Sequence, residues 1–127
     1  MHRAFPSHPS SLHDIRAFLR ESAAESGLPP EVVNDLVLAA SEACANAVLH
    51  SDSGLIEVTW IDSMDRVEVQ VADHGVFQRR VPLQEAEGTG GHGIQMMMAL
   101  MDEVTVREGT DVRPGTVVRL VKLRDEL

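Results

Sequence analysis

The sequence has 127 residues, of which 43% are hydrophobic and 24% are charged. This length and balance are typical of a soluble globular protein with one core, so residues 1–127 are expected to form a single domain. The formal net charge of −9 argues against direct binding to nucleic acid, which depends on basic patches. Neither a run of about 18 apolar residues nor a signal-peptide pattern is visible, which predicts a cytoplasmic protein with no membrane segment. Cys44 is the only cysteine, which excludes an internal disulfide.

The N-terminal half is predicted to hold one strand and two helices. Residues 2–5 form an edge strand, and the first helix begins near Ser11, where Ser11 and Asp14 resemble a capping box, and ends at Gly27. After two prolines, apolar residues at helical spacing predict a second helix from about Glu31 to His50. The apolar residues of this second helix are Val33, Leu36, Val37, Ala40, Ala43, Cys44, Ala47 and Val48.

The C-terminal half changes to the alternating pattern of strands. Strands around Ile56–Trp60 and Val67–Val71 form a predicted hairpin. A third helix covers Ile94 to Met101, and the strands Val104–Arg107 and Thr116–Lys122 close the sheet. This order predicts an α+β fold, a two-layer sandwich in which three helices cover one face of a mixed, mostly antiparallel sheet.

Three polar residues on the second helix are candidates for a functional site. Glu42, Asn46 and His50 are spaced four apart, so they share one stripe of the helix, whereas Ser41 is offset by about 100°. An amide oxygen such as that of Asn46 is a ligand that Mg²⁺ accepts beside phosphate oxygens and water. A carboxylate such as that of Glu42 can deprotonate an attacking hydroxyl or water. An ordinary solvated helix face would show the same stripe.

A second candidate is Asp73-His74-Gly75, which follows the strand Val67–Val71. The Asp73 carboxylate could accept a hydrogen bond from an exocyclic amino group, and Gly75 would let a flat ring approach the backbone. Asp and Gly are also favoured in ordinary turns, so this segment alone does not decide between the two.

A third candidate is the glycine-rich run Gly88–Gly93, which the pattern places directly before the third helix. Glycines that open a helix expose unpaired N–H groups, and the helix dipole favours an anion there. The run lacks the ending of a Walker loop, and no buried strand leads into it as in a dinucleotide fingerprint. Taken by itself, it could equally be a flexible linker.

The order of these segments resembles the GHKL superfamily of ATPases and kinases over nearly the whole chain. Glu42-Ala-Cys-Ala-Asn46-Ala-Val-Leu-His50 resembles its N-box, and Asp73-His-Gly75 resembles its adenine-reading box. Gly91-His-Gly93-Ile94 resembles its phosphate box, and Gly115-Thr116 resembles its closing Gly-Thr pair. The compact size and the segments Ser41–Ala47 and Met96–Val104 are most similar to the anti-sigma-factor serine kinases of that superfamily.

The resemblance implies a role for each of these positions in binding ATP and Mg²⁺. Asn46 would be the Mg²⁺ ligand and Glu42 the catalytic base. Asp73 would bind the adenine amino group, with Gly75 beside the ring and the Thr116 hydroxyl supporting the pocket. The phosphates would be held by the phosphate box, that is by Gly91, Gly93 and Ile94.

The function that the resemblance implies is an ATP-dependent serine kinase. It would phosphorylate an anti-sigma-factor antagonist protein and sequester a sigma factor, and it would act as a homodimer. Two departures favour an alternative, an ATP-binding regulatory module without phosphoryl transfer. Phe77 stands where many relatives have another glycine, and the lid expected over residues 76–90 is short. A histidine kinase catalytic domain and a gyrase-type ATPase are less favoured, because the segments that accompany them are missing from this sequence.

Overall fold

The computed structural model describes residues 1–50, 54–73, 91–108 and 115–124. The described elements in chain order are strand β1 His2–Pro6, a short 3₁₀ turn Pro9–Ser11, helix α1 Leu12–Ser26, helix α2 Pro30–His50, strand β2 Leu55–Asp62, strand β3 Arg66–Asp73, helix α3 Gly91–Leu100, strand β4 Glu103–Glu108 and strand β5 Thr116–Leu123. Every predicted helix and strand is present, and most bounds agree to within two residues.

The five strands form one sheet in the order β1-β2-β3-β5-β4. Every pairing between the described strands is antiparallel, where a mixed and mostly antiparallel sheet was expected. The expected two-layer α+β fold is confirmed, because the helices pack on one face of this sheet. Residues along most of β2 and all of β3 alternate between buried and more exposed positions, because successive side chains point to opposite faces of a sheet. One face therefore carries the core, and it packs against the helices.

The start of α1 differs from the predicted capping box. Pro9 opens a 3₁₀ turn that continues directly into α1, so Ser11 already has helical dihedral angles and its side chain makes no capping hydrogen bond. The His8 ring instead accepts a hydrogen bond from the Ser10 backbone N–H at 3.1 Å. The other end agrees with the prediction, because Gly27 ends α1 in the left-handed region with a φ of 72°.

Helix α2 is the central helix of the core. It packs against both α1 and α3 and against the strands β2, β3 and β5. Among the described residues, the stretch Pro30–Leu49 is long and apolar enough to cross a membrane by length and composition, but 56% of that window is buried inside the protein. The apolar character of α2 therefore belongs to a core helix.

The end of α1 is tied by two hydrogen bonds to the end of the sheet that carries the turn between β2 and β3. The indole Nε1 of Trp60 donates to Ser26 Oγ at 3.0 Å, and Arg124 Nη2 donates to the Ser26 backbone oxygen at 3.0 Å. The Arg124 guanidinium also lies 3.7 Å from the Asp62 carboxylate. These contacts fix the helical layer on the sheet and leave the opposite end of the sheet available for a site.

Candidate functional site

One end of the sheet brings together residues that are far apart in the sequence. Asp73, the last residue of β3, lies opposite Ile56 near the start of β2 and opposite Thr116 at the start of β5. Thr116 in turn lies opposite Glu108, the last residue of β4. The antiparallel register therefore places the predicted adenine-reading Asp73 directly beside Thr116.

Helix α2 delivers Asn46 to the same end of the sheet. The helix ends at His50, and the chain enters β2 at Leu55 after a short connection. Gly54 in that connection accepts a backbone hydrogen bond from Ser7 at 3.0 Å. Asn46 lies one turn before the end of the helix, so it approaches the same end of the sheet as Asp73.

The N-terminus of helix α3 points toward the end of the sheet that holds Asp73 and Thr116. Only Met101 and Asp102 separate the helix from β4. The Met101 N–H donates to the Met97 oxygen of α3 at 3.0 Å, and the Asp102 N–H donates to the Val121 oxygen of β5 at 2.9 Å. Strand β4 ends at Glu108, beside Thr116, so it begins at the other end of the sheet. Helix α3 leads into that other end and therefore runs antiparallel to β4. The free N–H groups at its start therefore face the site.

The start of α3 corrects one detail of the sequence interpretation. The helix begins at Gly91, three residues earlier than predicted, so Gly91, Gly93 and Ile94 lie in its first turn rather than at its boundary. Glycine lowers helix propensity, which is why the pattern suggested a later start. N–H groups of a first turn have no partner within the helix, so this placement remains compatible with binding an anion.

Asn46 is buried rather than part of a solvated face. Its side chain is only 7% exposed, and its Nδ2 atom has no hydrogen-bond partner. A buried amide donor without an acceptor costs about 1–3 kcal/mol. This amide could donate to a phosphate oxygen through Nδ2 while its Oδ1 faces a cation. Glu42, one turn earlier, is half-buried and so keeps contact with solvent.

Asp73 and Thr116 form the other side of the site. Asp73 is 5% exposed, and its Oδ1 atom is buried without a hydrogen bond, although the residue has another interaction. Thr116 is half-buried and also has an interaction of its own. Gly115 before it is buried with a φ of 128°, a conformation that side-chain-bearing residues rarely adopt. The backbone conformation therefore explains why the first residue of the predicted Gly-Thr pair is glycine.

The sequence did not indicate one contact near the site, between Arg16 of α1 and Ser41 of α2. Arg16 Nε donates to Ser41 Oγ at 3.2 Å, and Ser41 is 7% exposed. The two residues are 25 positions apart, and no local pattern could have paired them. Ser41 thus faces α1, in agreement with its predicted offset from Glu42.

Cys44 lies on the same side of α2 as Ser41 and is fully buried. Burial raises the pKa of its thiol to about 12, an effect that the positive charge of Arg16 only partly opposes. The thiol is therefore neutral near pH 7 and acts as a small core side chain.

Two predicted features lie outside the described residues. Gly75, expected beside the adenine ring, and the lid expected over residues 76–90 belong to this group. The side chain of His50 is also undescribed.

The donors present fit a magnesium ion held together with phosphates. Within the described residues, no group of three His, Cys, Asp or Glu side chains is placed to hold a metal. A Mg²⁺ ion at Asn46 would take its other ligands from phosphate oxygens and water, as Mg²⁺ usually does at nucleotide sites. A buried amide, a half-buried carboxylate and a helix N-terminus together form a site that suits a nucleoside triphosphate.

Comparison with known proteins identifies the class to which this fold and site belong. The family model of the histidine kinase-like ATPase domain matches residues 5–122. The chain therefore belongs to the histidine kinase-like ATPase family.

Within that class, the chain is similar to curated proteins named serine-protein kinase RsbW. The RsbW of Bacillus pumilus is 34% identical over 84% of this chain and 77% of that protein. The RsbW of Bacillus licheniformis is 32% identical over 92% of this chain and 81% of that protein. The RsbW of Listeria monocytogenes is 31% identical over 78% of this chain and 73% of that protein.

A solved structure agrees with this assignment. A Mycobacterium tuberculosis chain containing RsbU and RsbW domains superposes with a TM-score of 0.73 at 26% sequence identity. The match covers 97% of this chain but only 31% of the mycobacterial chain. The likeness therefore concerns one domain of a longer protein.

Proposed function

We propose that this protein is an ATP-dependent serine kinase that phosphorylates an anti-sigma-factor antagonist and also sequesters a sigma factor. The observation that carries the proposal is the pair Glu42 and Asn46, one turn apart on α2, at the sheet end that holds Asp73. Membership in an ATPase family and similarity to serine-protein kinases over most of the chain support it.

Binding of ATP divides between the two sides of the site. Asp73 accepts a hydrogen bond from the adenine amino group, with Gly75 beside the ring and Thr116 supporting the pocket. The first turn of α3, with Gly91 and Gly93, faces the phosphates. Asn46 holds Mg²⁺, which neutralises phosphate charge when bound.

Glu42 supplies the proton acceptor for transfer. Its carboxylate takes the proton of the substrate serine hydroxyl as the serine oxygen forms a bond to the γ-phosphorus of ATP. The bond between that phosphorus and the oxygen of the leaving ADP breaks in the same displacement. The half-buried position of Glu42 lets the carboxylate reach a protein substrate from solvent.

Substitution of Glu42 separates binding from transfer. We expect Glu42→Ala to bind ATP within about threefold of the wild-type affinity, because the carboxylate does not hold the nucleotide. Transfer of radiolabelled γ-phosphate from ATP to the purified antagonist should fall by at least about 100-fold. Glu31→Ala, an exposed glutamate on the same helix, serves as the control and should transfer at the wild-type rate.

Two outcomes would contradict this assignment. Loss of ATP binding with retained transfer would remove Glu42 from the role of base. Wild-type protein that binds ATP and the antagonist but transfers no phosphate would favour the alternative, a regulatory module without catalysis.

Three further parts complete the proposal. The Mg²⁺ ion and a homodimer rest on the family resemblance, and a cytoplasmic location rests on the apolar pattern of the sequence. Omission of Mg²⁺ with excess chelator should abolish transfer, and sedimentation equilibrium should give twice the chain mass. Fractionation of the source cells should recover the protein with the soluble fraction.

A further inference from the structure

Helix α2 carries two exposed leucines on the same stripe as Glu42. Leu38 is 50% exposed and Leu49 is 64% exposed. They are eleven residues apart, which is three turns, so their directions around the helix differ by only about 20°. Glu42 lies about 40° from Leu38 and about 20° from Leu49 on the same count. The two leucines and the predicted base therefore form one outward-facing ridge, here called the Leu38–Leu49 ridge.

Both flanks of this ridge are occupied by the rest of the protein. On one flank, Ser41 accepts a hydrogen bond from Arg16 of α1, and Cys44 is fully buried. On the other flank, Ala39 is fully buried and Asn46 is 7% exposed. The remaining faces of α2 pack on α1, α3 and the sheet. With respect to the residues that the structure describes, the ridge is thus a part of this core helix that is open to another molecule.

The position of Glu42 within the ridge indicates which molecule covers it. If Glu42 accepts a proton from a serine hydroxyl, that hydroxyl must lie within about 3 Å of the carboxylate. Leu38 is then about 6 Å from Glu42 along the helix, and Leu49 is about 10 Å away on the other side. A standard protein interface of about 800 Å² per partner is a disc of about 16 Å radius. A protein substrate centred on Glu42 therefore covers both leucines.

We propose that the Leu38–Leu49 ridge is the docking surface for the protein substrate, and that it binds apolar side chains on either side of the phospho-acceptor serine. This inference rests on the proposed kinase function. Two leucines of about half-exposed area bury enough apolar surface to matter for affinity, and they leave the chemistry at Glu42 unchanged. The substrate class is a folded protein with its acceptor serine set in an apolar surface.

The test uses the intact protein, ATP and the purified anti-sigma-factor antagonist of the same organism. The variants are Leu38→Ser, Leu49→Ser and the double substitution. Met64→Ser is the matched control, since Met64 is 99% exposed in the turn between β2 and β3, at the other end of the sheet from Asp73. Thermal unfolding checks that each variant is folded. We expect that all of them are, because the substituted positions are exposed.

We expect KM for the antagonist to rise about fivefold in each single variant and further in the double variant. The kcat at saturating antagonist and the Kd for ATP should stay at wild-type values, and Met64→Ser should change nothing. Unchanged KM in the double variant would overturn the proposal. A changed Kd for ATP with unchanged KM would also overturn it, because the leucines would then contact the nucleotide or another segment of this chain.

A measurement of antagonist binding in the presence of a non-hydrolysable ATP analogue tests the docking surface separately from the proposed kinase function. If the wild type binds the antagonist and the double variant binds it about tenfold more weakly or worse, the docking surface stands even where no phosphate is transferred. Equal affinity of wild type and double variant overturns the docking surface even where transfer is normal.

Discussion

The side chain of Asn46 combines burial with an unused hydrogen-bond donor. The residue is 7% exposed, and its Nδ2 atom has no partner. Such a group destabilises the folded state unless a ligand or another group satisfies it. A position that lowers stability and faces a candidate site is typical of a residue retained for function.

The variant Asn46→Ala therefore should separate stability from function. We expect the free energy of unfolding of the nucleotide-free protein to change by less than about 1 kcal/mol, because the lost packing is offset by removal of an unsatisfied donor. The affinity for ATP in the presence of Mg²⁺ should fall by at least about tenfold. Urea unfolding and isothermal titration calorimetry measure the two quantities. Asn34→Ala, exposed on the same helix, should alter neither, and unchanged ATP affinity in Asn46→Ala would contradict the role.

At the scale of elements, α1 and the sheet are joined by the contact between Trp60 and Ser26. Trp60 is 4% exposed, and its Nε1 donates to Ser26 Oγ at 3.0 Å. Phe5 of β1 packs edge-on against Phe18 of α1, with ring centroids 6.0 Å apart. The polar contact and the aromatic contact tie α1 to the edge strand β1 and to its neighbour β2.

A double-mutant cycle on Trp60 and Ser26 should measure the polar contact. Trp60→Phe is expected to lower the free energy of unfolding by about 2 kcal/mol, from the lost hydrogen bond and the smaller ring, and Ser26→Ala by about 1 kcal/mol. The double variant should lose about 1 kcal/mol less than the sum of the two, because both substitutions remove the same hydrogen bond. Urea unfolding gives all three values. Strict additivity would show that this contact contributes nothing to stability.

The elements themselves could be predicted from the sequence because their signals are local. Apolar residues at helical spacing predicted α2, alternation of apolar and polar residues predicted β2 and β3, and Gly27 predicted the end of α1. The start of α3 was misplaced because glycines weaken the helical signal, although packing on α2 holds the turn in place. The cap at Ser11 was wrong because Pro9 started a 3₁₀ turn that sequence spacing does not reveal.

At the scale of the whole molecule, the candidate site depends on strand register and helix direction. The residue pattern indicated Asn46 and Asp73 separately, and only the resemblance to a known family added Thr116 and joined the three. The antiparallel register places Asp73 opposite Thr116, which no local pattern encodes. The contact between Arg16 and Ser41 and the exposure of Leu38 and Leu49 likewise required the packed helices.

One carboxylate on the face of the sheet opposite the helices, Glu68, contributes to the pH dependence of the stability. Arg119 of β5 lies on the same face, with its Nε 3.0 Å from Glu68 and its Nη1 3.2 Å from Glu103. Burial alone would raise the pKa of Glu68, but hydrogen bonds from Gln70 and Arg119 outweigh it and lower that pKa below the ordinary value of 4.5. The same contact with Glu68 raises the pKa of Arg119. Arg119 therefore stays charged while Glu68 titrates.

The lowered pKa of Glu68 fixes the sign of the pH effect. A carboxylate that holds its proton less tightly in the folded state contributes stability above its unfolded pKa and loses it as the pH falls through the folded value. We expect Glu68→Gln to lower the free energy of unfolding by about 1 kcal/mol at pH 7. This difference should shrink as the pH falls below 4.5, the ordinary value, because the wild-type carboxylate is then protonated as well. Urea unfolding between pH 7 and pH 3 measures it, with the exposed Glu21→Gln as a control that should match the wild type throughout. A difference that stays constant down to pH 3 would mean that Glu68 acts through its shape and not through its charge.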